Sequence, residues 1–212
     1  MNTPLYLASR SPRRKELLAQ AGIQFQVHVP FEEELTAPKL RARVSARAIV
    51  KQISSGKAHA AARELRAKNI KQALILSADT LVFLRKHVLG KPEDEKEARK
   101  MLKALSGKWH EVYTGVTVLK LNGNRITENA IQECTKVKFF SLKPQWIDWY
   151  IATGEPFDKA GSYGCQGYGA ALVEEFKGSY TNVVGLPLGE TLALLEKTGK
   201  ISRQDLQGCT VL

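Results

Sequence analysis

The chain has 212 residues, of which 43% are hydrophobic and 25% charged, values typical of a globular protein. This composition excludes a disordered chain, a collagen-like repeat and a small scaffold that depends on disulfides. The 32 basic and 21 acidic residues give a net charge of +11. Such an excess indicates an anionic partner, an acidic surface or a simple solubility bias.

Membrane association and secretion are disfavoured by the sequence. No apolar run reaches the roughly 18 residues of a membrane span, and the first basic residues follow a short apolar run, the reverse of a secretory signal. The three cysteines, Cys134, Cys165 and Cys209, form no CxxC pair, and the four histidines have no metal-binding spacing. We therefore expect a cytoplasmic protein without a disulfide framework.

The pattern of apolar runs, turn residues and helix caps predicts a mixed α/β (α+β) fold with a central sheet. The predicted elements are, in order, strand 5–8, helix 12–21, strand 25–29, helix 39–68 broken at 54–56, strand 73–78, extended segment 81–84, turn 85–87, helix 92–105, hairpin strands 111–121 and 126–140, helix 144–153 and helix 190–197. No linker is evident, so we expect one domain over 1–198 and a loose tail over 199–212.

The segment from Ser9 to Arg14 predicts an anion site. A strand leads into a tight loop, and Ser11 followed by Pro12 is typical of a helix start. Backbone N–H groups and the positive end of the helix dipole gather there beside Arg13 and Arg14. The alternative is an ordinary capped helix with exposed arginines.

Asp79 and Lys91 are the next candidates. Asp79 follows an apolar strand, where a carboxylate can hold a divalent metal or activate water, although an aspartate there is also a common turn residue. Lys91 lies between Gly90 and Pro92 and would meet a phosphate as a point charge, or is a solvated lysine.

A glycine-rich segment, 157–169, contains Lys159 and Gln166. Its glycines allow the backbone to approach a ligand closely, and the Gln166 amide offers both a donor and an acceptor to the edge of a base. The alternative is a sharply turned hairpin with structural glycines. The basic stretch 41–71 contains no aromatic residue, which disfavours nucleic-acid binding.

These motifs together resemble the Maf family of nucleotide pyrophosphatases. The matching segments arrive in the family's order and are Leu7 to Arg14 with Glu16-Leu17-Leu18, Ala78-Asp79-Thr80, Gly90-Lys91-Pro92, Met101-Leu102 with Leu105-Ser106-Gly107 and His110, Tyr113-Thr114-Gly115, Phe157 to Gly161, Gln166-Gly167, and Val184 to Leu188.

The resemblance implies a hydrolase that cleaves a nucleoside triphosphate to the monophosphate and pyrophosphate with Mg²⁺, Mn²⁺ or Co²⁺. It also implies the elongated Maf fold, related to the ITP/XTP pyrophosphatases, with a cleft between two lobes, and dimers are common in the family. It assigns catalysis to Asp79 and the metal to Asp79 and Glu34, with Glu33 as the alternative ligand. Substrate binding would fall to Ser9, Arg13, Arg14, Lys57, Thr80, Lys91, Lys159 and Gln166.

The branch of the family follows from two of these positions. Thr80 and Gln166 resemble the members that act on dTTP and UTP, whereas the 7-methyl-GTP branch typically has Gln and Glu there. Modified pyrimidine nucleotides are further candidate substrates. The alternatives are a 7-methyl-GTP or ITP/XTP pyrophosphatase, or a non-enzymatic nucleic-acid-binding or cell-division regulator.

Overall fold

The computed structural model describes residues 3–31 and 45–201 of the chain. Its strands are β1 (Leu5–Leu7), β2 (Gln26–Val27), β3 (Gln72–Leu84), β4 (His87–Leu89), β5 (Trp109–Asn122), β6 (Arg125–Phe139) and β7 (Val173–Lys177). Its helices are α1 (Pro12–Gln20), α2 (Ala46–Ala67), α3 (Glu95–Leu105), α4 (Pro144–Ala152), α5 (Tyr180–Val184) and α6 (Leu188–Lys197). Short 3₁₀ turns cover Glu155–Asp158, Ala160–Ser162 and Gly167–Leu172. The predicted mixed α/β class is confirmed.

The strands form one mixed sheet in the order β2-β1-β3-β5-β6-β7, with β4 paired to β3 alone. β1 pairs in parallel with both β2 and β3, and β4 pairs antiparallel with β3. The predicted hairpin corresponds to β5 and β6, which are neighbours in the sheet. Asn-Gly is a strong turn signal between alternating strands, which is why this hairpin was predictable.

Asp79 does not end its strand, contrary to the sequence expectation, because β3 continues to Leu84. What stops near Asp79 is the backbone pairing along one edge of β3. β1 accompanies β3 only as far as the Leu7–Leu76 pair, and β4 begins to pair only at Val82. Asp79 and Thr80 therefore lie in the stretch of β3 where the parallel partner has ended and the antiparallel partner has not begun.

Helix α2 is continuous, and the break predicted at Ser54 to Gly56 is wrong. The hydroxyl of Ser54 donates to the carbonyl of Lys51 at 3.0 Å and bonds Thr117 at 2.9 Å, so this serine is satisfied inside the helix. The helix also packs closely on β5, where a Cβ at Gly115 would overlap the carbonyl oxygen of Val50. Tertiary packing thus outweighs the low helix propensity of the Ser-Ser-Gly run.

The described chain divides into two compact units. The first unit comprises the described parts of 1–79, 115–132 and 185–212, and one of its core clusters joins apolar residues of β1, α2, β3 and β5. The second unit comprises 80–114 and 133–184, and its core includes Phe139 and Tyr150, neither of which is exposed. The predicted single domain, elongated shape and cleft stay predictions.

The start of helix α3 differs from expectation for a local reason. Helix α3 begins at Glu95 rather than Pro92, because the Asp94 side chain accepts from the Glu97 N–H at 2.7 Å and caps the helix there.

At the start of the expected tail, Ile201 is only 8% exposed. The rest of that tail lies outside the described residues. Within the described ranges, no helix combines the length and apolarity needed to cross a bilayer.

Candidate active site

Asp79 and Lys57 form an ion pair in the first unit. The Lys57 Nζ lies 2.6 Å from Asp79 Oδ1, and both side chains are largely buried. Asp79 Oδ2 makes no hydrogen bond to any described residue. Lys57 was expected to contact phosphate, and the structure places its ammonium on the carboxylate that is expected to catalyse.

Arg14 is the buried member of the arginine pair, with 9% of its surface exposed. Its Nε donates to the Gly185 carbonyl at 2.8 Å and its Nη1 to Ser9 Oγ at 3.0 Å. Burial lowers the pKa of the guanidinium, and the charge of nearby Asp79 opposes this shift. Arginine nevertheless stays charged in proteins. The sequence treated Arg13 and Arg14 alike, whereas the structure distinguishes them, because Arg13 is only half-buried.

Local structure explains how these groups are held. β1 leads through Ser9 into α1, and Ser11 takes the N-cap position with Pro12 in the first turn, as predicted. The Ser11 side chain makes no capping bond; instead the Ser11 N–H donates to Ser9 Oγ at 3.3 Å. Ser9 therefore accepts hydrogen bonds both from the backbone at the helix entrance and from Arg14. The predicted anion site has a fixed guanidinium beside a helix N-terminus.

A divalent metal is expected from the family resemblance, and the described residues offer one carboxylate for it. No group of three or more His, Cys, Asp or Glu side chains clusters within 3–31 and 45–201. Glu34, and its alternative Glu33, lie outside the described residues. A single Asp79 suits Mg²⁺ that arrives on a polyphosphate, because Mg²⁺ in such sites uses one or two carboxylates together with phosphate oxygens.

Thr80, the neighbour of Asp79 in β3, belongs to a hydrogen-bond network in the second unit. Its Oγ1 lies 2.9 Å from Thr114 Oγ1, which in turn donates to the Asn182 carbonyl at 3.1 Å. Thr114 and Asn182 are both fully buried. The Thr80 side chain, expected to bind substrate, is thus connected to the interior of the unit.

The loop that carries Gln166 wraps around the carboxylate of Glu155. The Tyr168 and Gly169 N–H groups donate to Glu155 at 2.9 and 3.2 Å, and the Tyr150 hydroxyl donates to the same carboxylate at 2.9 Å. Burial raises the pKa of the Tyr150 phenol, so it remains a neutral donor. A Cβ at Gly169 would overlap the Gly164 carbonyl oxygen, which explains why this loop needs glycine.

Lys159 and Lys91 lie on segments that are connected by the backbone. The Lys159 Nζ donates to Asp158 Oδ1 at 2.6 Å and to the Glu155 carbonyl at 2.8 Å, so Glu155 also fixes this lysine. The Gly161 N–H donates to the Gly90 carbonyl at 2.9 Å. Lys91 itself is exposed. Glu155 therefore supports both Lys159 and the loop that carries Gln166. Lys91 follows Gly90, whose carbonyl is bonded to the same segment.

The sequence did not identify Glu155 or Tyr150 as contributors to the site. Thr114 was visible only as part of the motif Tyr113-Thr114-Gly115. The sequence does contain one indication of Glu155. A glycine-rich loop with consecutive backbone N–H groups needs a hydrogen-bond acceptor nearby. That acceptor lies immediately before the segment 157–169.

Comparison with known proteins identifies the family. The family model described as "Maf-like protein" matches residues 4–198. The chain belongs to the Maf family. Among its relatives, a protein of Anaeromyxobacter sp. (strain Fw109-5) named "dTTP/UTP pyrophosphatase" is 47% identical over 197 residues, which cover 92% of this chain and 89% of the relative.

Two further Maf relatives have the same name. The protein of Myxococcus xanthus (strain DK1622) is 46% identical over 93% of both chains. The protein of Clostridium tetani (strain Massachusetts / E88) is 42% identical over 91% of this chain and 96% of its own. Among solved structures, the Staphylococcus aureus Ham1 protein matches 97% of this chain and 90% of its own, with 11% identity and a TM-score of 0.41. That likeness is too distant to carry a conclusion.

Proposed function

We propose that this chain hydrolyses dTTP and UTP to the nucleoside monophosphate and pyrophosphate, and so removes unwanted pyrimidine nucleotides from the pool. The observation that carries the proposal is the Asp79 carboxylate paired with Lys57 and close to the charge of the buried Arg14. The relatives named dTTP/UTP pyrophosphatase, 42–47% identical in the three cases above, support the same reaction and substrates.

The cationic groups of the first unit suit the phosphates of the substrate. Arg14 is held by Ser9 and by the Gly185 carbonyl, so little side-chain freedom remains to be lost when an anion binds. Arg13 and the N-terminus of α1 add positive charge in the same turn. Lys91 and Lys159, from the second unit, are proposed as further phosphate contacts.

Asp79 is proposed as the proton acceptor for the attacking water. Lys57 holds Oδ1, and Oδ2 makes no hydrogen bond to a described residue, which suits Oδ2 for accepting a proton. The water oxygen forms a bond to phosphorus, the bond between the α-phosphate and the β-phosphate breaks, and pyrophosphate leaves with the electron pair. The water proton passes to Asp79.

A divalent cation, Mg²⁺, Mn²⁺ or Co²⁺, is proposed as the cofactor. Asp79 and Glu34 would hold it together with phosphate oxygens. When bound, such a cation neutralises charge that develops on the leaving pyrophosphate. The phosphate-binding roles proposed for Arg14 and Lys57 do not depend on which of the three cations is used.

Base selection is proposed for the second unit. Thr80 and Gln166 carry neutral hydrogen-bonding groups that can pair with the edge of a base. We further propose a cytoplasmic protein that binds neither membrane nor nucleic acid and assembles as a homodimer. Within the described residues neither Cys134 nor Cys165 forms a disulfide, in keeping with a reducing compartment.

The test is a pyrophosphate-release screen of the purified chain across dTTP, UTP, CTP, GTP, 7-methyl-GTP and ITP, each with Mg²⁺, Mn²⁺ and Co²⁺. We expect dTTP and UTP to give the highest kcat/KM and to yield the monophosphate. Release of orthophosphate and a nucleoside diphosphate, or a preference for 7-methyl-GTP or ITP, would overturn the proposal. Omission of metal should abolish turnover if the cofactor is assigned correctly.

A further inference from the structure

A cavity of about 420 Å³ lies within the second unit. Its volume falls in the range of small-molecule pockets, roughly 300–1,000 Å³. None of its lining residues is among those assigned above to catalysis or substrate binding. The lining combines two aromatic rings, one carboxylate and three cations, which belong to Phe83, Trp109, Glu111, Arg85, Lys136 and Lys177.

The cavity lies on the face of the sheet opposite to the contact between Thr80 and Thr114. Side chains alternate between the two faces along a strand. In β5, Val112 and Thr114 are fully buried. Trp109 and Glu111, which alternate with them, are only half-buried and line the cavity. Since the Thr80 hydroxyl bonds Thr114 at 2.9 Å, it belongs to the buried side of this strand.

Two of the cations face each other across β6 and β7. Lys136 and Lys177 are directly paired in these antiparallel strands, so their side chains project from the same face of the sheet. Like charges in this position repel each other, and an anion bound between them removes the repulsion. Lys177 lies 3.5 Å from the carboxylate of exposed Glu175. The side chains of Lys136 and Arg85 form no ion pair with a described residue, so both charges are available to an anion.

The same cavity presents aromatic surface beside these charges. The Phe83 ring packs edge-on against the Tyr113 ring, with 5.4 Å between their centres. The Lys177 Nζ lies 4.5 Å from the centre of the Trp109 ring, so a positive charge is held directly against an aromatic wall. Aromatic side chains stack on bases, and a guanidinium binds phosphate through two parallel hydrogen bonds. A ligand that joins a planar ring to a phosphate matches both features.

We propose that this cavity binds a nucleoside monophosphate and shares no residue with the candidate active site. The base stacks on Trp109, and the phosphate binds Arg85 and Lys136. With Glu111 counted, the lining has an excess of two positive charges. A phosphate monoester carries about −1.5 to −2 near pH 7, which this excess neutralises. The inference does not depend on the proposed function, although a monophosphate is the class of product that the proposed reaction forms.

The experiment titrates UMP and AMP into the purified chain and follows tryptophan fluorescence and the heat of binding. AMP is included because a purine is disfavoured at the proposed pyrimidine site, so its binding reports on the cavity. We expect both nucleotides to quench the fluorescence of the wild type, and the quenching to disappear in Trp109→Phe. Adenosine and inorganic phosphate, each tested alone, should bind at least about tenfold more weakly than AMP, because each lacks half of the contacts.

A double variant tests the phosphate contacts. Arg85→Gln combined with Lys136→Gln should raise the Kd for AMP about tenfold or more, because charge-assisted hydrogen bonds to the phosphate are lost. The matched control combines Lys86→Gln, in the same exposed turn, with Lys103→Gln on α3, and it should keep the wild-type Kd. Initial rates of pyrophosphate release from UTP should be equal in the two double variants, since none of the four residues belongs to the candidate active site.

Several outcomes would overturn the inference. These are equal Kd values for AMP in the two double variants, quenching that persists in Trp109→Phe, and phosphate or adenosine binding as tightly as AMP. If Trp109→Phe does not fold, the double variants still decide by heat of binding. A dimer that becomes a monomer in the Arg85 and Lys136 variant, measured by light scattering, would show that a second copy covers this face instead. All of these outcomes leave the pyrophosphatase function standing, because turnover of UTP tests it separately.

Discussion

The two units carry their candidate residues in different ways. In the first unit the groups are charged and lie on or beside regular elements: Asp79 on β3, Lys57 on α2 and Arg14 on α1. In the second unit Gln166 and Lys159 lie between short 3₁₀ turns. Thr80 is held by a neutral hydrogen bond, and the loop of Gln166 is held by backbone N–H groups that donate to Glu155. Charge neutralisation tolerates small displacements, whereas reading a base needs each donor and acceptor to be oriented. The second unit accordingly devotes buried side chains to orientation.

If the first unit carries the chemistry, Asp79→Asn should have the largest effect. Loss of the proton acceptor should lower kcat with UTP by about 10²–10⁴-fold and change KM far less. Pyrophosphate release over time measures both. The matched control is Asp148→Asn, on the exposed surface of α4 where Asp148 pairs with Arg99, and it should keep wild-type turnover. Near-normal turnover in Asp79→Asn would remove Asp79 from the reaction.

Lys57→Met should come next in size. Methionine keeps the length of the side chain and removes the ammonium that holds Asp79 Oδ1. A hydrogen bond to a charged group contributes about 1.5–3 kcal/mol, so we expect kcat/KM for UTP to fall about 10–100-fold. Lys51→Met, an exposed position on the same helix α2, serves as the control. Equal kinetics in the two variants would count against a role for the Lys57–Asp79 pair.

Glu155→Gln tests the second unit with a smaller expected effect. Glutamine keeps one acceptor oxygen and places an amide group against the backbone donors of the Gln166 loop. We expect KM for UTP to rise about tenfold with kcat less affected, because the loop that carries Gln166 and Lys159 loosens. Glu174→Gln, which removes an exposed partner of Lys138, should leave KM unchanged. A fall in kcat with constant KM would contradict this assignment.

His110 gives a prediction about stability rather than turnover. This histidine is 2% exposed, and its Nε2 bonds the Tyr163 hydroxyl at 2.7 Å. Burial lowers its pKa from 6.5 to about 4. Between these values the unfolded chain binds a proton that the folded chain does not, so stability falls as the pH falls, by about 3 kcal/mol in all.

Urea unfolding at neutral pH and near pH 4.5 measures this loss for the wild type and for His110→Leu. We expect the variant to lose less stability over the same interval, because it lacks the imidazole of His110. The same substitution at exposed His87 provides the control for removing a histidine. An identical pH dependence in His110→Leu and the wild type would show that His110 is not the group responsible.

Much of the fold was predictable because its signals are local. The apolar run before Asp79, the Asn-Gly turn after β5 and the Ser-Pro start of α1 each depend on a few neighbouring residues. The continuity of α2 was not predictable in this way. It depends on a bond from Ser54 to Thr117 and on the close approach of Gly115, both distant in the sequence.

The candidate site was predictable only where a motif names the residue. Asp79, Arg14 and Gln166 stand in recognisable segments, but the sequence could not show that Lys57 bonds Asp79 or that Arg14 is buried. Glu155 was missed because it acts through backbone groups of the loop that it holds. Such supports have no fixed spacing from the residues they orient, so only the folded chain reveals them.

The division of labour between the units is tested most directly by measuring kcat/KM for UTP and GTP in Asp79→Asn and Gln166→Glu side by side. The account predicts that Asp79→Asn slows both nucleotides by one common factor and preserves their ratio. Gln166→Glu, which exchanges the amide donor for a carboxylate, should lower the UTP/GTP ratio by about tenfold. A changed ratio in the aspartate variant together with an unchanged ratio in the glutamine variant would contradict the account.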